Sequence, residues 1–255
     1  MIFETHAHYD DEQFDLDRDQ ILGSMQKGGV GTIVNVGASL ASSRASVSLA
    51  ERYPFIYAAV GVHPDHAGEM DEDGLRELRG LCGGDKVVAV GEIGLDYYWD
   101  EAPRDVQKEW FVRQLELARE MSLPVIIHSR DAAADTLEIM QSHARGLMGV
   151  IHCFSYSKEL AREYVKMGFF IGVGGVVTFK NGRRLKEVVE DIPLSSIVLE
   201  TDCPYLAPVP NRGKRNSSLN LPYVVKEIAE IKGISCEEVM AQTEKNARIL
   251  YGMRD

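Results

Sequence analysis

Two histidines one residue apart, His6 and His8, leave the first apolar stretch of this chain. Side chains two apart on a strand point the same way, so the pair projects together. Two neutral imidazoles side by side suit a divalent transition metal. The same arrangement recurs downstream. Glu92 follows an apolar run at 87–91, His128 closes 125–127, His152 closes 150–151, and the run at 197–199 leads through Glu200 and Thr201 to Asp202. Buried imidazoles and carboxylates need partners, and one shared metal cluster satisfies all six. Without a metal, the paired histidines would be a hydrogen-bonded turn and every other residue would need its own structural reason. Four such ligands would hold one ion; six suggest two, with Glu92 as the bridging carboxylate. Two ions about 3.5–4 Å apart activate water and stabilise both the attacking and the leaving oxygen, as phosphodiester hydrolysis requires. Asp202 is then the base that orients or deprotonates the water. The mixed imidazole and carboxylate set leaves the metal open among Mg, Mn, Zn, Fe and Co.

Elements that could bring these residues together are legible as short apolar runs alternating with amphipathic segments. Strands are expected at 2–6, 32–36, 56–60, 87–91, 125–128, 150–152, 169–173 and 197–200. They are almost continuously apolar, as in a parallel sheet covered on both faces. Helices are expected at 18–27, 39–52, 73–81, 106–121, 131–143, 158–167 and 182–189, with two more at 223–232 and 236–250 after the last strand. Strict alternation of eight strand–helix repeats in 255 residues predicts a single-domain (β/α)8 TIM barrel over 1–255, whose active site lies at the C-terminal ends of the strands. An open parallel sheet is the alternative. The longest irregular stretch, 203–219, follows the eighth strand, and loops of that length are often functional.

Composition narrows the function classes. The net charge of −11, from 28 basic and 39 acidic residues, excludes a protein that holds nucleic acid by a basic surface. Any contact with nucleic acid must use a local patch or metal ions. Cys82, Cys153, Cys203 and Cys236 are far apart and form no CxxC pair, which predicts reduced thiols. Cys153 and Cys203 directly follow His152 and Asp202, so on a strand they face the other way and read as small buried apolar groups. The N-terminal stretch lacks a basic and apolar leader pattern, and the longest uncharged apolar run, 168–179, is shorter than the roughly 20 residues of a membrane span. A soluble, cytoplasmic protein with no membrane association and no obligate protein partner is expected.

The residues also form a recognisable set of blocks: THAH at His6 and His8, GVHP at 61–64, GEIGLDYY at 91–98, HSRDA at 128–132, HCFS at 152–155 and ETDCPYLAP at 200–208. In these blocks and their spacing the chain resembles, nearly end to end, the TatD family of metal-dependent deoxyribonucleases within the amidohydrolase-like barrels. The resemblance implies a TIM barrel, one metal on His6, His8, Glu92 and Asp202, and a second on Glu92, His128 and His152. It further implies 3′–5′ exonuclease hydrolysis of DNA, typically single-stranded, supported by magnesium or another divalent ion. Three positions depart from the family pattern: Tyr156 stands where a glycine is usual, and Ser217-Ser218 follow Arg215-Asn216 where Glu-Pro is frequent. They bear on substrate fit and leave the metal set intact.

Around the expected centre, His63, Arg130 and Arg215 are the candidate substrate contacts. His63 ends the third strand, and Arg130 lies two residues past His128, where it can reach a phosphate or pair with Asp131. Arg215, with Arg212 and Lys214, sits in the loop after strand eight. Lys180, Arg183, Arg184 and Lys186 read as solvated surface charge, and His66 and His143 as ordinary surface histidines. Tyr97, Tyr98 and Trp99 either pack their loop or stack on a terminal base. Competing readings are an amide, ester or lactone hydrolase on the same metal barrel, and a non-catalytic metal-binding protein.

Overall fold

Runs rich in Val, Ile and Ala become strands here because β-branched side chains pack well on a pleated surface covered from both sides. In a computed structural model of the chain, which describes residues 1–253, they are β1 (Ile2–Ala7), β2 (Val30–Val36), β3 (Ile56–Val60), β4 (Val87–Asp96), β5 (Val125–Arg130), β6 (Gly149–Ile151), β7 (Phe169–Val173) and β8 (Ile197–Leu199). Between and after them come α1 (Arg18–Ser24), α2 (Leu40–Arg52), α3 (Glu72–Cys82), α4 (Arg104–Met121), α5 (Ala133–His143), α6 (Lys158–Lys166), α7 (Arg183–Asp191), α8 (Leu221–Lys232) and α9 (Cys236–Leu250). Parallel strands in sequence order, alternating with helices, are the (β/α)8 class that the sequence predicts. Helix starts follow local chemistry. Ser39 and Ser42 cap α2 reciprocally, and Ser235 and Glu238 do the same for α9. Among the described residues no helix is long and apolar enough to cross a membrane.

The chain divides into two compact units, residues 1–35 with 153–255, and residues 36–152. In the first, β1 has a partner on each side. It pairs with β2, Ile2 opposite Val30 and Ala7 opposite Asn35. On the other side Ala7 bridges to Cys203 just past β8, the Asp202 N–H donates to the His6 carbonyl at 3.0 Å, and the His8 N–H donates to the Cys203 carbonyl at 2.9 Å. Buried Glu4 ties this seam together. Its carboxylate accepts from the Thr201 N–H (2.9 Å), the Thr201 hydroxyl (2.6 Å) and the His6 N–H (3.1 Å). Burial outweighs these bonds and pushes the Glu4 carboxyl up to about 7.

In the second unit β4 pairs with β3 on one side and with β5 on the other, and β5 pairs with β6. The sequence predicts that β4 stops at residue 91; it runs on to Asp96, buried throughout. Gly94 explains the extension. It sits at φ 148°, and a Cβ there would lie 1.9 Å from the His128 carbonyl oxygen, so only glycine lets β4 stay against β5 that far. Glu92 therefore projects from within a strand rather than from its end, and β5 likewise continues through His128 to Arg130.

Candidate metal centre

Each unit carries its own group of imidazoles and carboxylates. In the first unit His6 Nε2 and His8 Nε2 stand 3.0 Å apart, and Asp202 Oδ1 lies 3.7 Å from the former and 3.4 Å from the latter. Both imidazoles leave the same strand, as the alternation predicts. The seam hydrogen bonds from Asp202 and His8 hold the Asp202 carboxylate against them, with Asp202 itself in the left-handed region at φ 57°. Two ring nitrogens this close share at most one proton, and the carboxylate oxygen completes three donors around one point. That chemistry fits a divalent cation.

In the second unit Glu92 Oε1 is the hub. His152 Nε2 lies 2.6 Å from it, His128 Nδ1 2.7 Å and His63 Nε2 3.7 Å. His128 Nδ1 is also 3.2 Å from His152 Nε2. The far nitrogen of His128, Nε2, lies 3.0 Å from Asp96 Oδ2. A carboxylate only accepts, so Asp96 fixes the proton on Nε2 and turns Nδ1 toward Glu92 and His152. This is the carboxylate–histidine arrangement that orients metal ligands. Here too the donors fit a cation, and the donor atoms of His63, Glu92 and His128 all lie within 4.8 Å of one another.

Protonation follows from the packing. Burial works to raise the Glu92 carboxyl, but His152 and His63, with hydrogen bonds from His128 and His152, overcome it and hold the group well below its usual range. Burial works to lower His128, but Asp96 and Glu92 overcome it and push the imidazole up to about 9. The proton on Nδ1 thus stands where a cation would bind. His63 is lowered, first by its burial and then by neighbouring His128, which favours its neutral form. Its Nδ1 accepts the Asp65 N–H at 3.2 Å, so the neutral ring carries its proton on Nε2.

The other expected residues are placed as follows. The Arg130 guanidinium lies over the Tyr98 ring, 3.8 Å from its centroid, and pairs with no carboxylate among the described residues. Arg215 is engaged elsewhere: it forms a two-point pair with Asp17 at 2.8 and 2.5 Å, donates to the Gln13 carbonyl and covers Phe14. Asn216, Ser217 and Ser218 are buried. Asn216 bonds the Thr201 and Tyr205 carbonyls, and Ser218 meets the Tyr9 hydroxyl at 2.9 Å, so the departure at 217–218 is built into loop packing. Cys203 is buried, and burial pushes its thiol up to about 12; among the described residues no cysteine is in a disulfide. His66 pairs with Glu69 near the surface, and His143 is exposed.

Sequence reasoning missed Asp96, Asp65 and Glu4. The alternation rule carries a signal for two of them. Asp96 shares the Glu92 face of β4 and Glu4 the His6 face of β1, but a strand assumed to stop at 91 hides the first. Asp65, whose Oδ2 lies 3.4 Å from His63 Nδ1, follows a Pro that opens a helical turn and had no pattern to mark it.

Clusters of imidazoles and carboxylates that could hold metal ions, set on a (β/α)8 frame, are the pattern of a class of metal-dependent hydrolases. Comparison with known proteins makes the class specific. The family described as "TatD related DNase" matches residues 3–252, and the chain belongs to that family as a TatD-type metal-dependent hydrolase. It is 45% identical over 252 residues to a Bacillus subtilis protein named "Uncharacterized metal-dependent hydrolase YabD", covering 98% of this chain and 99% of the relative. It is 34% identical over 257 residues to a Cronobacter sakazakii protein named "3'-5' ssDNA/RNA exonuclease TatD", covering 98% and 97%. Among solved structures, the Escherichia coli TatD homologue YJJV superposes with a TM-score of 0.93 at 31% identity, covering 99% of this chain and 98% of that one.

Proposed function

We propose that this chain is a nuclease that hydrolyses DNA phosphodiester bonds from a 3′ end of a single strand, with two divalent cations as cofactors. His6, His8 and Asp202 would hold one cation, and Glu92, His128 and His152 the other. Magnesium, manganese and zinc all suit these donors. When bound, such a pair supplies Lewis acidity and charge neutralisation at phosphate. The protein's own groups do the rest. Asp202 accepts a proton from the attacking water, and Glu92, kept anionic by its imidazole neighbours, anchors the cluster. Asp96 keeps His128 in one tautomer. His63 presents Nε2–H to a phosphate oxygen, and Arg130 adds a cation beside the substrate strand. Arg215, committed to Asp17, serves as anchor of the loop at 203–219.

The observation that carries the reading is the geometry around His128, with Nε2 held by one carboxylate and Nδ1 turned to another carboxylate and a second imidazole. The exonuclease name of the Cronobacter relative supports phosphodiester chemistry in particular. Four cysteines spaced far apart with no CxxC pair support a reducing, cytoplasmic setting. The test is digestion of 3′- and 5′-labelled single-stranded oligonucleotides with added Mg or Mn, together with metal analysis. Progressive loss of nucleotides from the 3′ end is expected. Turnover of carboxyl esters with no cleavage of phosphodiesters would overturn the assignment.

A further inference from the structure

Next to the second cluster the protein exposes two large aromatic side chains. Tyr98 and Trp99 are 55% and 56% accessible, while neighbouring Tyr97 is used for packing, its hydroxyl donating to Asp135 at 2.6 Å and its ring covered by Arg104. Tyr98 and Trp99 meet edge to face at 89°, with centroids 5.0 Å apart. The Arg130 guanidinium lies 3.8 Å from the Tyr98 centroid and 5.7 Å from that of Trp99. The position of the pair is fixed. Both backbone N–H groups donate to Asp96 Oδ1 at 2.9 Å, and the other oxygen of the same carboxylate holds His128. One side chain thus sets both a candidate ligand and this aromatic surface.

Exposed aromatic area of this kind costs solubility and marks interaction sites. Flat rings beside an arginine suit a ligand with a π-face next to negative charge, which is the chemistry of a nucleotide. Building on the nuclease reading, we propose that Tyr98, Trp99 and Arg130 form a platform for the unpaired nucleobase of the terminal nucleotide, with Arg130 facing its phosphate. Base–aromatic stacking tolerates any base, so the platform gives affinity without sequence preference. A base inside a duplex is already stacked on both faces, so the platform favours single-stranded ends.

The test replaces the terminal base of a short single-stranded oligonucleotide with an abasic residue. For the metal-loaded wild-type protein, kcat/KM falls about thirty-fold on the abasic substrate, the middle of the range for one stacked base. In Trp99→Ala and in the Tyr98→Ala/Trp99→Ala double variant the ratio between the two substrates collapses to about one, and Trp99→Phe restores most of it. Without metal, the intact oligonucleotide quenches Trp99 fluorescence and the abasic one does not. Circular dichroism and metal content check that the variants fold. An unchanged ratio in a folded, active Trp99→Ala variant overturns the platform and leaves the nuclease reading standing. Base-dependent quenching in a protein that cleaves no oligonucleotide does the reverse.

Discussion

The two donor groups are built by different means. In the first unit the backbone does the positioning. His6 and His8 leave one strand, and the seam between β1 and the segment after β8 delivers Asp202 through main-chain hydrogen bonds. In the second unit side chains do it. Asp96 grips His128, and Glu92 is drawn in by His152, His128 and His63. A cage set by a strand seam changes only when the seam changes. A cage set by carboxylate–imidazole bonds can be retuned by one substitution. The lesson is that equivalent ligand types can rest on supports of unequal mutability.

Four experiments would break or sharpen this contrast. The largest effect is expected at Glu92, the hub. Glu92→Ala should lower kcat/KM by roughly three orders of magnitude or more, measured on a labelled oligonucleotide, because it removes charge from the heart of the centre. Retention of most activity would remove Glu92 from the mechanism. Next comes the seam. Glu4→Ala strands the buried N–H and hydroxyl of Thr201 and the N–H of His6, and should cost about 3 kcal/mol in denaturant unfolding. A stability close to wild type would mean that the seam does not depend on this clamp.

Asp96→Asn should weaken cation binding about 10–100-fold with little change in fold, read by titration calorimetry. Equal weakening in a variant altered only in the first unit would erase the distinction between the two supports. The smallest effect concerns Asp17. Its hydrogen bond to Arg215 holds the Asp17 carboxyl below the usual 3.8. A depressed carboxylate contributes stability that is present above the unfolded value and lost as pH falls through the folded one. The gap in melting temperature between wild type and Asp17→Asn should therefore be small but present above roughly pH 4, the usual aspartate value, and close as pH falls from there through the lower folded value. A gap that persisted at pH 2 would show that the pair does not act through charge.

Much of this was legible in the residues, for physical reasons. Eight apolar runs gave eight strands because burial on both faces leaves little choice of side chain, and His6 and His8 came together because period-two alternation survives into the structure. What was hidden depended on contacts between segments distant in sequence. The extension of β4 rests on the fit of Gly94 against the His128 carbonyl, which no local pattern announces. Arg215 looked free to meet substrate, and its pairing with Asp17, nearly two hundred residues earlier, is invisible without the fold. Tyr97, Tyr98 and Trp99 were indistinguishable in sequence, and packing separated them.

The first unit is discontinuous: it joins residues 1–35 to 153–255, while 36–152 is one uninterrupted stretch. During synthesis residues 1–35 leave the ribosome before 153–255 and must therefore wait for them. Contacts of such long sequence separation are slow to close, so the intervening stretch is positioned to fold ahead of them. A nascent chain arrested before residue 202 carries His6 and His8 without Asp202, and the first unit's donor group is complete only once that residue has emerged.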